Sequence, residues 1–242
     1  LVPGVRFIHF NAFIEIDQIT DKTAGVVLET IQGGAGFITP SPGYLEAVKK
    51  RCNAVGALLI LDEIQPGFGR TGALFAFEHY QCTPDILVVG KGMGGGMPVG
   101  AFIASKKLMD MLQDQPSLGH ITTFGGNPVI ASACLATLEV IQEEGLVAQC
   151  LIKEVFIREK LKHPEIKKIR GKGLMLALIL ETPEKANTLV LKASEKGLIL
   201  FWLLFEKKAV RISPPLTISL EELEIGCQII LDVLNQEIHT VN

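Results

Sequence analysis

Three charged residues stand where apolar runs end, and their types define the chemistry the chain can carry. Glu29 closes the run from Gly25, Asp62 closes the run from Ala57, and Lys91 follows the run from Asp85 to Gly90. Runs of this kind, short and rich in Val, Ile and Leu, read as strands buried on both faces of a parallel sheet. Open parallel sheets bind ligands beyond the carboxyl ends of their strands, so the three charges are expected to converge on one site. An Asp62–Lys91 ion pair buried for structure alone would be a weak stabiliser, because desolvation offsets most of the attraction. Lys91 is also set among Gly90, Gly92, Gly94, Gly95 and Gly96, residues without a Cβ that allow close approach. An amine so placed can form a Schiff base with an aldehyde, and a neighbouring carboxylate can keep a pyridine nitrogen protonated. Those are the two requirements of pyridoxal phosphate chemistry.

Other chemistries have less support. Gly67 to Gly72 and Gly90 to Gly95 both match G-x-G-x-x-G, but a dinucleotide site needs those glycines to end a strand and open a helix. Pro66 separates the first match from its strand, and the second runs through Pro98 into another strand. The five histidines show no i,i+4 pairing and no cysteine at ligand spacing, so no metal site is expected. Five cysteines without a C-x-x-C pair read as reduced thiols in a cytoplasmic protein. With 23 Lys and Arg against 26 Asp and Glu, a net charge of -3 and no basic block, nucleic acid is not an expected partner. The most apolar run, Leu198 to Phe205, is far shorter than the roughly 20 residues that cross a bilayer, so no membrane contact is expected either.

The elements that must position these residues alternate in type. Strands are expected at Gly25 to Glu29, Ala57 to Asp62, Asp85 to Val89 and Val99 to Ala104, with a helix near Pro42 to Val55 whose Leu45, Val48 and Cys52 share one face. Ser41 is the expected N-cap of that helix and Pro42 its first residue. A helix from Asn127-Pro128 to about Glu144 closes at Gly145, and a domain boundary is placed there, giving residues 1–145 and 146–242. The second part reads as a small α+β domain: helix Leu146 to Lys162, strand Leu174 to Leu180, helix Glu184 to Lys196, strands Leu198 to Leu204 and Ala209 to Ile212, and a last helix from Leu220 to Ile238. Ser219 and Glu222 form a capping box at its start. The fold class is therefore α/β, a mostly parallel sheet in a large domain followed by a small α+β domain. The apolar, irregular opening from Leu1 to Asp17 suggests a large domain incomplete at its N-terminus.

Taken in order, Leu61-Asp62-Glu63-Ile64-Gln65, Gly67-Phe68-Gly69-Arg70-Thr71-Gly72, Pro84-Asp85-Ile86, Gly90-Lys91-Gly92, Thr123-Phe124-Gly125-Gly126-Asn127-Pro128, Arg170-Gly171-Lys172-Gly173 and Arg211-Ile212-Ser213-Pro214-Pro215-Leu216 resemble the class III, fold-type I pyridoxal-phosphate aminotransferases. Within that family the sequence resembles the acetylornithine and ornithine aminotransferases. The resemblance implies a homodimer that transfers an amino group from an amino acid to a 2-oxo acid. It implies that Lys91 binds the cofactor and carries the proton, that Asp62 pairs with the pyridinium nitrogen, that Gln65 faces the phenolic oxygen and that Ile64 packs on a ring face. Thr123 would reach the phosphate of the neighbouring subunit, Arg211 would grip a substrate carboxylate, and Glu29 would line the substrate side. An aminomutase or racemase on the same scaffold, and an inactive chain acting only in assembly, are the other readings.

Two departures from the family pattern stand out. The Gly-rich phosphate turn and the stacking aromatic residue that precede these motifs in the family are not in this sequence. The family's E-x-x-Q-G-E stretch reads Glu29-Thr30-Ile31-Gln32-Gly33-Gly34, so the glutamate that pairs with the arginine matching Arg211 is replaced by Gly34, for which Glu206 or an acid from the missing N-terminal segment is a candidate substitute. Arg70 is read as structural, Trp202 as packed core and Lys172 as a turn lysine.

Overall fold

The computed structural model describes residues 3–114 and 119–239; Leu1 and Val2, where the irregular opening begins, lie outside the described residues. The chain forms two compact units. One comprises Leu1–Thr30, Pro40–Gly67 and Ala76–Glu139, the other Ile31–Thr39, Phe68–Phe75 and Val140–Asn242.

In the first unit β1 (Gly25–Glu29), β2 (Leu58–Asp62) and β3 (Ile86–Gly90) run parallel in that order, and β4 (Gly100–Ala104) returns antiparallel beside β3. The sheet is thus mostly parallel, as the apolar runs predict. Helix α1 (Tyr44–Val55) lies in the connection from β1 to β2, and its buried face carries Tyr44, Leu45, Val48 and Cys52. These pack with Val26, Leu59 and Leu61 in one core, and the rings of Phe10 and Phe13 meet Tyr44 edge-on at 5.3 and 5.5 Å. The start of α1 differs from expectation. Its N-cap is Gly43 at φ +78° with no side-chain cap, Ser41 instead accepts the Tyr44 N–H on its carbonyl, and Pro42 lies in the preceding turn. Glycine adopts the left-handed turn that redirects the chain into the helix at little steric cost, so the proline serves the turn and not the first helical position.

Helix α2 (Lys106–Asp114) is not anticipated by the sequence pattern; it carries an exposed Lys106–Asp110 pair at 2.8 Å. Helix α3 (Pro128–Glu143) starts where expected, with the Asn127 Oδ1 accepting from the N–H groups of Val129 and Ile130 at 3.0 and 3.3 Å and Pro128 at the first position, where its missing N–H costs nothing.

The second unit contains α4 (Leu146–Lys160), β5 (Lys168–Lys172), β6 (Met175–Ile179), α5 (Pro183–Glu195), β7 (Phe201–Trp202), β8 (Ala209–Ile212) and α6 (Leu220–His239). Its antiparallel sheet has the order β5-β6-β8-β7. All five residues of central β6 are buried, and Leu176, Leu178, Val210 and Leu200 join residues of α4, α5 and α6 in a second core. The capping box is present: Ser219 N–H donates to Glu222 at 2.9 Å and Glu222 N–H donates to the Ser219 hydroxyl at 3.1 Å. Two expectations need correction. Lys172 ends the unanticipated strand β5, whose Lys-Ile-Arg-Gly-Lys sequence lacks the apolar alternation of a strand because it lies at the sheet edge. The long apolar run 198–204 yields only two paired residues, and Trp202 on this opposite edge is 41% exposed, so it is not packed core.

Candidate active site

Parallel register brings the expected charges to one end of the first sheet. Glu29 pairs with Asp62 and Asp62 with Val88, so the last residues of β1 and β2 lie side by side while β3 runs on to Gly90 and delivers Lys91. Asp62 is half-buried, and its Oδ1 accepts the Ile64 N–H at 2.9 Å. That bond turns the chain sharply after β2, as aspartate side chains do in turns, and fixes the carboxylate while Oδ2 takes no partner among the described residues.

Lys91 is exposed and opens a single helical turn, Lys91–Gly94. Its φ of +38° is in the left-handed region, which costs a non-glycine residue of order 1–3 kcal/mol. The lysine is retained where glycine would be easier, an arrangement that favours a role for the amine over one for the backbone. Gly90 before it is small for a different reason: a Cβ there would stand 3.2 Å from the Val99 carbonyl oxygen and 3.5 Å from Ile64 Cγ2. Ile64 therefore packs directly against the residue preceding Lys91. Gln65 follows, half-buried, in the turn.

The structure thus gathers Glu29, Asp62, Ile64 and Lys91 at the carboxyl ends of β1 to β3. Thr123 stands on an exposed turn of the same unit, where the Thr122 carbonyl accepts the Gly125 N–H at 3.4 Å. Arg211 belongs to the other unit. There it is half-buried on β8, with its guanidinium 5.1 Å from the ring centre of Phe201.

One residue beside Asp62 is missed from sequence. Glu63 is fully buried; it accepts the Thr30 hydroxyl at 2.7 Å and the N–H groups of Ala76 and Phe77 at 2.9 and 2.8 Å. Burial raises its pKa above the usual carboxylate value even though these three donors favour the charge. Glu63 thereby fastens the residues after β2 to those after Phe75, and nothing in its sequence neighbourhood distinguishes it from Asp62 except the strand period. In the second unit Arg70 donates through Nη1 to the carbonyls of Leu174 and Pro214, which gives it the structural role expected. Gly34 is backed by an aromatic ring: a Cβ there would lie 3.0 Å from Phe205 Cδ2, and the Gly34 carbonyl accepts the Phe205 N–H at 2.9 Å. Glu206 pairs with Arg170 at 3.3 Å and not with Arg211, so it does not take the place of the absent glutamate here.

An amine and a fixed carboxylate at adjacent strand ends, with a branched aliphatic side chain packed against the residue preceding the lysine, are the donor set that holds a pyridine aldehyde ring, and the residues present fit that group. The class so defined is matched by comparison: the sequence pattern of aminotransferase class-III fits residues 7–234, and the chain belongs to that family. Among solved structures it is similar to the ornithine aminotransferase of Toxoplasma gondii, at 33% identity with a TM-score of 0.88 over 96% of this chain and 56% of that one. It is similar also to the acetylornithine aminotransferase of Elizabethkingia anophelis, at 34% identity with a TM-score of 0.87 over 97% of this chain and 60% of that one. The chain therefore spans between half and two thirds of the length of these relatives.

Proposed function

We propose that the protein is a pyridoxal-phosphate-dependent aminotransferase that moves an amino group from an amino acid to a 2-oxo acid, with Lys91 and Asp62 as its catalytic residues. The observation that carries this reading is the Asp62 carboxylate, anchored through Oδ1 by the Ile64 N–H at the strand end beside the one that delivers Lys91. Family membership over residues 7–234 supports it. Bound pyridoxal phosphate supplies the electron sink that makes the substrate Cα proton acidic. Asp62 holds a proton on the ring nitrogen by a charge-assisted hydrogen bond. Lys91 binds the cofactor and moves the proton at the substrate Cα, a general acid–base step typically worth about 10²–10⁴-fold. Ile64 supports a ring face, Gln65 faces the phenolic oxygen and Glu29 lines the substrate side.

Arg211 receives a substrate carboxylate through the planar edge of its guanidinium. Thr123 completes the phosphate site of a second subunit in a homodimer; its place on an exposed turn agrees with an intersubunit role. Five free cysteines agree with a cytoplasmic enzyme.

Borohydride reduction of the protein with pyridoxal phosphate, followed by peptide mapping, tests the assignment. The label is expected on Lys91; recovery on Lys172, or on no lysine, refutes it. Mixing Lys91→Ala and Thr123→Ala chains tests the shared site. Restored activity in the mixture is expected, and its absence argues for a site within one chain.

A further inference from the structure

Arg211 lies in a cross-strand row whose members follow from the register. Arg170 on β5 is opposite Ala177 on β6, Ala177 is opposite Arg211 on β8, and Arg211 is opposite Phe201 on β7. Directly opposed residues of an antiparallel sheet share a face, with Cβ atoms about 4.5–5.5 Å apart. All four therefore stand on one side of the small sheet. Within this row the two arginines are treated differently. Arg170 is neutralised by Glu206 at 3.3 Å. Arg211 makes no ion pair among the described residues, and what faces it is the ring of Phe201 at 5.1 Å.

Glu222 lines the same cavity as Arg211 and Phe201, but it engages Ser219 in the capping box, and among the described residues no carboxylate forms an ion pair with Arg211. Arg70, held on the Pro214 carbonyl beyond the end of β8, adds a like charge: burial lowers its pKa, and Arg211 pushes it lower still. A half-buried guanidinium without a counter-ion is unfavourable unless something else holds it. An aromatic face can do so, since it attracts the cation electrostatically while leaving the in-plane N–H edge open for a carboxylate fork.

We infer that Phe201 is a positioning residue that holds Arg211 in place of a protein carboxylate, so that Arg211 stays open to a ligand carboxylate at all times and favours one carrying an apolar group beside the charge. The inference rests on Arg211 being the carboxylate-binding residue of the proposed enzyme and adds a determinant of its specificity. The apolar preference follows from exposure: Phe201 is 53% exposed, so a carboxylate docking on the guanidinium edge meets the free rim of the ring. The same exposure means that replacing Phe201 leaves no cavity in the core.

The test is direct binding, measured calorimetrically on the protein without an amino donor, so that no turnover is needed. The probes are butyrate, 3-phenylpropionate and the uncharged 3-phenylpropionamide. Phe201→Leu is expected to weaken both carboxylates by about two- to fivefold, the size of an exposed cation–π contact, and Phe201→Tyr to bind them as wild type does. For wild type, 3-phenylpropionate is expected to bind more tightly than butyrate, with the amide weaker than either acid. Arg211→Gln should lose the carboxylate preference altogether. If Phe201→Leu binds both acids as wild type does, or loses the amide as much as the acids, Phe201 does not act through Arg211. Should Arg211→Gln bind the acids unchanged, the carboxylate role of Arg211 itself falls, and the inference with it. A Phe201→Tyr variant as weak as Phe201→Leu also overturns it.

Discussion

Removing the carboxylate of Glu63 should destabilise the first unit more than any conservative change at Asp62. In Glu63→Ala the Thr30 hydroxyl and the N–H groups of Ala76 and Phe77 lose their acceptor. Thr30, Glu63 and Ala76 are fully buried, so water does not replace it. A buried donor left without a partner costs about 1–3 kcal/mol, and three such donors, offset by relief of a buried charge, give a net loss of about 3 kcal/mol or more. Glu63→Gln is milder. An amide oxygen at the Oε1 position keeps Thr30 and Phe77, but the NH₂ group then faces the Ala76 N–H, donor against donor, for a loss of about 1–3 kcal/mol. Urea unfolding followed by far-UV circular dichroism measures both, and amide exchange at Ala76 and Phe77 reports the local opening. A Glu63→Ala protein within about 0.5 kcal/mol of wild type, the range of ordinary surface changes, refutes the role given to Glu63. The pH dependence supplies a second check. Because burial raises the Glu63 pKa in the folded state, the folded chain binds this proton more tightly than the unfolded chain. Its contribution to stability therefore rises as pH falls through the raised value and levels off below the unfolded value of 4.5. The gap between wild type and Glu63→Gln should widen on acidification; a gap that narrows contradicts the assignment of burial as the dominant cause.

The remaining predictions are shorter. Lys91→Gly should be more stable than Lys91→Ala by about 1–2 kcal/mol, because only glycine adopts φ near +38° freely; equal melting temperatures count against strain at this position. Gly171→Ala should prevent folding of the second unit, since a Cβ there meets the Met175 carbonyl oxygen at 1.9 Å, whereas Gly43→Ala, with nothing within 4 Å, should cost only about 1 kcal/mol for its left-handed φ; soluble yield and urea midpoints separate the two. Iodoacetamide at pH 8 should label Cys134 first in the native protein. The other four cysteines are buried, and burial holds the thiols of Cys82 and Cys227 up at about 11, so peptide mapping that finds either modified ahead of Cys134 contradicts the burial described.

What can be read from sequence is governed by how local the cause is. Strands β1 to β3 and helix α1 are written in apolar periodicity, which depends on neighbours a few residues away, and the Ser219–Glu222 and Asn127–Pro128 caps are local by nature. Edge strands are a different matter. β5 carries Lys168, Arg170 and Lys172 because half of its surroundings is solvent, so the alternation that marks a strand is absent. β7 looks strongly β-forming, yet only Phe201 and Trp202 find a partner, because pairing requires a strand opposite and not merely a suitable sequence. At the start of α1, Ser41 and Pro42 have the right chemistry for a cap, while the deciding residue is a glycine whose φ of +78° only the three-dimensional turn reveals.

The same distinction separates the two consecutive acids at the heart of the site. Asp62 and Glu63 are alike in charge and differ by one methylene, and the sequence singles out Asp62 because it closes an apolar run. What makes it available is that, among the described residues, a single backbone N–H, from Ile64, engages one oxygen only. Glu63, one residue on, is buried where Thr30 from the end of β1 and Ala76 and Phe77 from beyond the Gly-rich loop converge, and both of its oxygens are committed to these donors. They lie 33, 13 and 14 residues away, out of reach of any local pattern. Among the described residues one carboxylate is left with binding capacity and the other has none, and the role proposed for Asp62 rests on that unsatisfied valence. That valence becomes visible only once the register of β1, β2 and β3 has decided which groups each acid meets.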